Sequence, residues 1–490
     1  MALTMQLSSD KPSLNWRTSS IPFWTYALAL LWLYSITFVS FSPLNIANSE
    51  RIYRYAELLT VPSFIGVLVS IVLAMLIVGH FLFFSIHLTI KNMLLLIVIC
   101  AVPFLFVYPG DSADFFANLW YAQRVVTLGE NPYITKYLFE THHHIQSVIP
   151  PTSDSPLLPY GPLWLGIHLG IYVISQSLPL WGQIVVTKII YLFALLACAY
   201  VAAKLGALFT EENKAVKYTA ATFISPFMLL GFIGNSHGDI WLLLFFSLSL
   251  YLLFKEKILL GLIFFTASIC VKYITVIFAP FILIYLIHRY QKTYLPHILL
   301  WIIFSLLIGS WSVFILKITG GMLSQTNVSS FSLLQVVSLF SNSTETSGMV
   351  KIVMSAVFIL LYLLLLVTSR NKDMLNTPQK LLNTLLAITA GFFLFFIHLW
   401  GYWYAIWFVP LLFTLKRKDV YFFLLSTAVL LINFIWGWFV FVQFETHVLS
   451  ITSMAISLAV SILITFILIT TLYIRIFITP EIQHRKDILI

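Results

Sequence analysis

Residues 161–178 read GPLWLGIHLGIYVISQSL, a stretch without Asp, Glu, Lys or Arg. Whether it crosses a membrane decides on which side every later loop lies. Apolar runs of about 20 residues, the length that spans a bilayer as helix, recur along the rest of the 490-residue chain. Only 9% of residues are charged and 60% are hydrophobic, against about 25% charged in a soluble domain. A soluble globular protein is excluded, as are disordered and collagen-like chains. The expectation is an all-α, polytopic transmembrane helical bundle, a single integral-membrane domain over residues 1–490.

Spans are expected near 22–42, 61–83, 92–108, 183–204, 216–233, 240–254, 258–271, 273–288, 296–317, 349–369, 381–399, 402–416, 420–441 and 450–474. That makes about fourteen, the first an uncleaved span, with 161–178 to be decided. If 161–178 crosses, the cluster Lys204, Lys214 and Lys217 falls outside, with every later basic cluster. If it dips in and returns as a re-entrant or interfacial helix, 19 of the 27 Lys and Arg lie on inner loops and both termini are cytoplasmic. The positive-inside rule selects the second arrangement. Pro159–Tyr160–Gly161–Pro162 supports it independently, because two prolines around a glycine interrupt a helix entering from the preceding loop. The net charge of +9 is thereby a matter of topology and does not imply nucleic acid. Cys100, Cys198 and Cys270 lie in apolar runs without metal-ligand spacing and read as small core residues.

This topology collects the unusual features on the outer face: a large first extracytoplasmic loop at 109–160, the segment Gly234–Asp239, the break around Lys272, a second outer loop at 319–348, and the motif from His398 to Tyr404. Helix connections usually run roughly 2–8 residues, and a much longer loop is usually functional or disordered. The loop 109–160 carries too many aromatics to be disordered. Asp114–Leu128 reads as an amphipathic helix, started by Asp114 as a plausible N-cap and stopped at Gly129. Phe115, Leu119, Ala122 and Val126 form an apolar stripe that would lie flat on the membrane surface.

Asp111 and Asp114 are the first acids after a span. A carboxylate at the bilayer edge near aromatic rings is partly desolvated and suits a general base acting on a hydroxyl; a solvated helix cap is the plainer alternative. Asp239 is likewise either a helix cap or, with His237, part of the same pocket. Lys272 interrupts thirty apolar residues. It either snorkels to headgroups or, between two short spans, holds a lipid-linked phosphate, with Arg124 or His237 beside it. His398, Trp403, Tyr404 and Trp407 read mostly as an interfacial aromatic belt, although aromatic faces also bind sugar rings. His142–His143–His144 does not make a convincing metal site, since neighbouring side chains in extended chain point to alternate faces. No Walker A or Rossmann glycine pattern is present, which favours a lipid-linked donor over a nucleotide sugar.

Taken in order, Asp114, Gly129–Glu130–Asn131–Pro132–Tyr133, Pro159–Tyr160–Gly161–Pro162–Leu163–Trp164, His237–Gly238–Asp239, Val271–Lys272–Tyr273, Pro280–Phe281 and Trp403–Tyr404 with Trp407 and Pro410 resemble the GT-C superfamily of polytopic glycosyltransferases. The chain is most similar to the bacterial polyprenyl-phosphate-mannose-dependent mannosyltransferases. Family members often show His-Asn-Asp where this chain has His237–Gly238–Asp239. The resemblance implies a mannose donor on a polyprenyl phosphate, a glycan or glycolipid acceptor and a site on the extracytoplasmic face of a bacterial plasma membrane. It also implies an acidic residue of the first outer loop as base, which maps onto Asp114 with Asp111 as neighbour. Arg124, Asn131, Tyr133, Tyr160, His237, Asp239, Lys272, His398, Trp403 and Tyr404 are the expected substrate-binding residues. No metal or cofactor is expected, because the leaving group carries a single phosphate. The competing class is a transporter or flippase for a lipid-linked or small substrate. Transporters favour mid-bilayer ionisable residues and repeated halves, whereas here the acids avoid the span interiors and no repeated halves are found.

Overall fold

The computed structural model describes residues 22–38, 61–84, 87–110, 114–135, 157–290, 294–319, 344–396, 402–415 and 417–445, with isolated positions between 460 and 471. Among them every regular element is a helix. Six helices are long and apolar enough to cross a membrane: Phe64–Phe83, Leu180–Gly206, Tyr273–Tyr290, Leu295–Ile315, Gly348–Thr368 and Arg417–Trp436. Glu212–Phe223 and Pro226–Gly234, bent by 61° at their junction, form a seventh if counted as one broken span. The remaining apolar helices are shorter, among them Ile90–Leu105, Asp239–Phe254 and Ile258–Val271. At 1.5 Å per residue, a 14-residue helix covers about 21 Å, less than the hydrocarbon core. Long runs of apolar sequence thus become pairs of short helices, and the expected fourteen crossings exceed what these lengths establish. The expected span 450–474 and the loop 319–348 lie almost wholly outside the described residues.

Helix ends follow local chemistry. Thr89 accepts a hydrogen bond from the Asn92 N–H at 3.2 Å and Thr377 one from Lys380 at 3.3 Å, each satisfying a donor that the first turn leaves open. Pro378 and Pro162 occupy first-turn positions where a missing N–H costs nothing.

The segment 161–178 forms the helix Pro162–Ser175, and a new helix starts at Leu180. Fourteen residues make it too short to cross the core as straight helix. It packs on Asp114–Leu128, Ile258–Val271 and Leu180–Gly206. The break before it is joined to the break at Lys272. Helix Ile258–Val271 ends in extended backbone at Lys272 (φ −147°, ψ 120°) and resumes as the 3-10 turn Tyr273–Phe278. The freed Val271 carbonyl accepts the Gly161 N–H at 3.0 Å, and the Tyr273 hydroxyl donates to the Tyr160 carbonyl at 3.1 Å. Only glycine fits at 161, because a Cβ there would lie 2.0 Å from the Cys270 carbonyl oxygen. Two interruptions more than a hundred residues apart are one structural joint.

The helix Asp114–Leu128 has the expected bounds and stops at Gly129, whose φ of 65° is the left-handed conformation glycine adopts freely. Its buried face is wider than the expected stripe. Phe115, Leu119 and Ala122 are buried, Val126 is exposed, and Phe116, Asn118, Trp120 and Tyr121 are buried as well. The helix therefore packs its first two turns into protein, where a surface-lying helix would leave them to lipid.

Candidate active site

The site is built where three departures from regular helix converge. Pro226–Leu229 runs into the π-turn Leu230–Gly234, and Ser236 follows with φ 52°, a left-handed conformation uncommon in non-glycine residues. This turn withdraws Asn235, Ser236, His237 and Asp239 from solvent. Asn235 donates to the Leu230 carbonyl at 3.1 Å and to the Tyr402 hydroxyl at 3.4 Å. Gly238 has a packing reason: a Cβ at that position would lie 2.3 Å from Nε1 of Trp164.

Asp239 opens the helix Asp239–Phe254 without capping it. Its carboxylate accepts from Lys272 Nζ at 2.9 and 3.2 Å and from Trp407 Nε1 at 2.8 Å. Lys272 does not snorkel. Its ammonium lies 4.5 Å from the Tyr404 ring centre, 5.3 Å from that of Trp407 and 5.7 Å from that of Tyr160, inside the range of cation–π attraction. Burying this charge is tolerable because a carboxylate and three aromatic faces replace the lost water.

His237 stacks on Trp403 with ring centres 4.1 Å apart, and its Nδ1 stands 3.9 Å from Asp114 Oδ2. Asp114 is the open side of the cluster: 45% of its side chain is exposed, against 5% for Asp239. Tyr160, stacked on Trp164 at 4.4 Å, closes another side. Burial pushes its phenol well above the ordinary value, and the Asp114 carboxylate, Tyr404 and Asp239 add to the rise. Tyr160 therefore stays neutral.

The structure thus brings Asp114, Tyr160, His237, Asp239, Lys272, Trp403 and Tyr404 into one chain of contacts. Three further expected residues make contacts of their own. Arg124 is paired with Glu130 and lies 5.1 Å over Trp120. Asn131 accepts from the Tyr133 N–H at 3.0 Å and donates to the Leu316 carbonyl at 3.1 Å, fastening the loop to the end of another helix. Tyr133 is buried behind that turn, where Leu158 N–H donates to the Pro132 carbonyl at 2.9 Å. Asp111, His398 and the His142–His144 run lie outside the described residues. Trp407 and Trp164 were missing from the expected binding set. Both stand in the quoted motifs, and only the fold reveals that one donates to Asp239 while the other walls Gly238. Nor are Tyr402, Trp403 and Trp407 a belt facing the interface; all three are buried.

A half-exposed carboxylate, a neutralised cation and flat aromatic faces in one cluster are suited to hold a polar ring and an anion side by side and to take a proton from one of them. The family model for alpha-(1->6)-mannopyranosyltransferase, N-terminal domain, matches residues 32–288, which hold Asp114, Tyr160, His237, Asp239 and Lys272. A search of curated proteins gives no match. More than half of the chain is matched, so this membrane protein belongs to the alpha-(1->6)-mannopyranosyltransferase family and is a GT-C-type hexosyltransferase.

Proposed function

We propose that the protein transfers mannose from a polyprenyl-phosphate donor to an extracytoplasmic glycan or glycolipid acceptor, in one inverting displacement with Asp114 as general base. The observation that carries this is the pairing of roles across the cluster: an accessible carboxylate on one side, and on the other a lysine held among aromatic rings.

The donor's isoprenoid chain stays in the bilayer. Its phosphate meets Lys272, whose third N–H is left over when Asp239 takes two. The mannose ring lies against the faces of Tyr160, Trp403 and Tyr404. Asp114 takes the proton of the acceptor hydroxyl, the hydroxyl oxygen forms the new bond to the anomeric carbon, and the bond from that carbon to the phosphate oxygen breaks. Polyprenyl phosphate leaves with its new charge facing Lys272, an interaction stronger in the transition state than before it. His237, stacked on Trp403, holds its Nδ1 toward Asp114 and sets the direction from which the carboxylate acts. The positive-inside distribution supports an active site on the outer face of a bacterial plasma membrane.

The test is to incubate the purified protein with a panel of polyprenyl-phosphate sugars and candidate acceptors and to read products by mass spectrometry. A mannosylated acceptor formed from the mannose donor is expected. Label that crosses liposomes without a new glycosidic bond would make the protein a transporter and sink the proposal.

A further inference from the structure

Lys188 lies inside Leu180–Gly206, a helix able to cross a membrane, and its side chain is fully buried. An amine among apolar helices is costly unless its donors are used. Here Nζ donates to the Phe104 carbonyl at 3.1 Å and also to the Val107 carbonyl. These carbonyls stand at the end of Ile90–Leu105, where a helix leaves C=O groups without partners and carries its partial negative charge. The Phe106 N–H turns back on the Pro103 carbonyl and the Val107 N–H on the Phe104 carbonyl, so the chain leaves the helix in a tight turn gripped from another helix.

The next residue transmits this grip. Tyr108 is buried, and its ring centre lies 5.6 Å from that of Phe116. Phe116 sits in the first turn of the helix that Asp114 begins. An unbroken path of contacts therefore runs from Lys188 through Val107 and Tyr108 to Phe116, within one turn of Asp114. Nothing in the transfer chemistry uses Lys188.

We propose that Lys188 is a positioning residue for Asp114: by clamping the exit of Ile90–Leu105 it fixes where the helix Asp114–Leu128 starts, and so where the carboxylate stands. This rests on Asp114 being the base. Its weight is kinetic, because displacing a reacting group by about 1 Å can cost about 10²-fold in rate.

The experiment uses the full chain, reconstituted, as wild type, Lys188→Met, Lys188→Arg, Asp114→Asn and the double variant Lys188→Met/Asp114→Asn. Lys188→Met is expected to lower kcat by about 10²-fold with donor KM little changed. Lys188→Arg, which keeps the donors, should recover part of the loss. In the Asp114→Asn background Lys188→Met should cost nothing further, since a misplaced base and a missing one are the same defect. In parallel, Val107→Cys in a chain lacking Cys100, Cys198 and Cys270 should react faster with maleimide when Lys188 is Met, whatever Asp114 does. Unchanged labelling overturns the clamp. Wild-type kcat in Lys188→Met, or the same further loss with and without Asp114, overturns the positioning role. An active Asp114→Asn enzyme instead removes the base assignment and leaves the labelling result to judge the clamp.

Discussion

Asp114 and Asp239 face one cluster and are opposites. Asp239 is 5% exposed and saturated, with Lys272 on both oxygens and the Trp407 indole on one. Asp114 is 45% exposed, and Nδ1 of His237 stands 3.9 Å from it. A carboxylate already holding a lysine and an indole is poorly placed to accept a substrate proton, because doing so breaks the ion pair. A half-exposed carboxylate at a helix start can accept one at little cost. The difference supports the proposed division of work, in which Asp239 sets the charge and the place of Lys272 and Asp114 handles the proton.

The largest expected effect breaks the open side. Removing a general base typically costs about 10²–10⁴-fold in rate. Asn keeps the size of Asp114 and caps helices about as well, so Asp114→Asn should insert and fold normally while turnover collapses. Asp111→Asn should lose much less. A fully active Asp114→Asn enzyme would end the assignment, and the reversed pattern would move the base by three residues. Activity of the wild type should fall on the acid side of its profile, since a protonated carboxyl accepts no proton.

The saturated side gives the next effect. Lys272→Met removes the proposed phosphate partner and also strands Asp239, and breaking a buried pair by one member costs roughly 3–5 kcal/mol. Donor use and thermal stability should therefore both drop. Lys272→Arg should keep part of each. The double variant Lys272→Met/Asp239→Asn sharpens the comparison: neutralising both partners should recover much of the melting temperature and none of the donor use. Recovery of both would deny Lys272 any part in binding phosphate.

Local sequence carries some of this and hides the rest. Asp114 and Gly129 mark the two ends of their helix, and Pro159, Gly161 and Pro162 announce a break. The charge distribution sets 161–178 apart, and it folds as the 14-residue helix Pro162–Ser175. What local patterns cannot carry is partnership across the chain. Lys272 finds Asp239 33 residues away and Trp407 lies 168 from Asp239, separations at which neither periodicity nor spacing speaks. For the same reason the breaks at 161 and 271 read as two features until Gly161 and Val271 are seen to share a hydrogen bond. Arg124 and Glu130 show the converse: only six residues apart, they pair, and nothing in the local pattern announces that contact.

The joint behind Lys272 should respond to a single methyl. Gly161→Ala sets a Cβ 2.0 Å from a backbone oxygen, and backbone cannot swing aside as a side chain can. The two breaks must part. Overpacking of this kind costs typically about 1–3 kcal/mol, seen as a lower melting temperature, with donor KM raised because Lys272 moves with Val271. Gly238→Ala meets the Trp164 side chain instead of backbone and should cost less stability. Equal losses at both positions would mean that the joint is no stiffer than ordinary packing.

The smallest expected effect tests whether the aromatic wall takes part in proton transfer. Tyr160 is stacked on Trp164, and its ring lies 5.7 Å from Lys272. Burial first, and then Asp114, Tyr404 and Asp239, raise its phenol above the ordinary 10.0. A raised phenol pKa means that the folded chain holds this proton more tightly than the unfolded chain. Stability from it is complete below pH 10.0, the ordinary value, and is lost only as pH rises beyond it. Through the working range Tyr160 is thus a neutral face. Tyr160→Phe keeps the ring and the backbone carbonyl that accepts from Tyr273, so its pH–rate profile should superimpose on that of the wild type below that pH, with a modest change in donor KM at most. A shifted acid limb in Tyr160→Phe would show the phenol coupled to the base, and Asp114 could then no longer be treated as the only group that handles the proton.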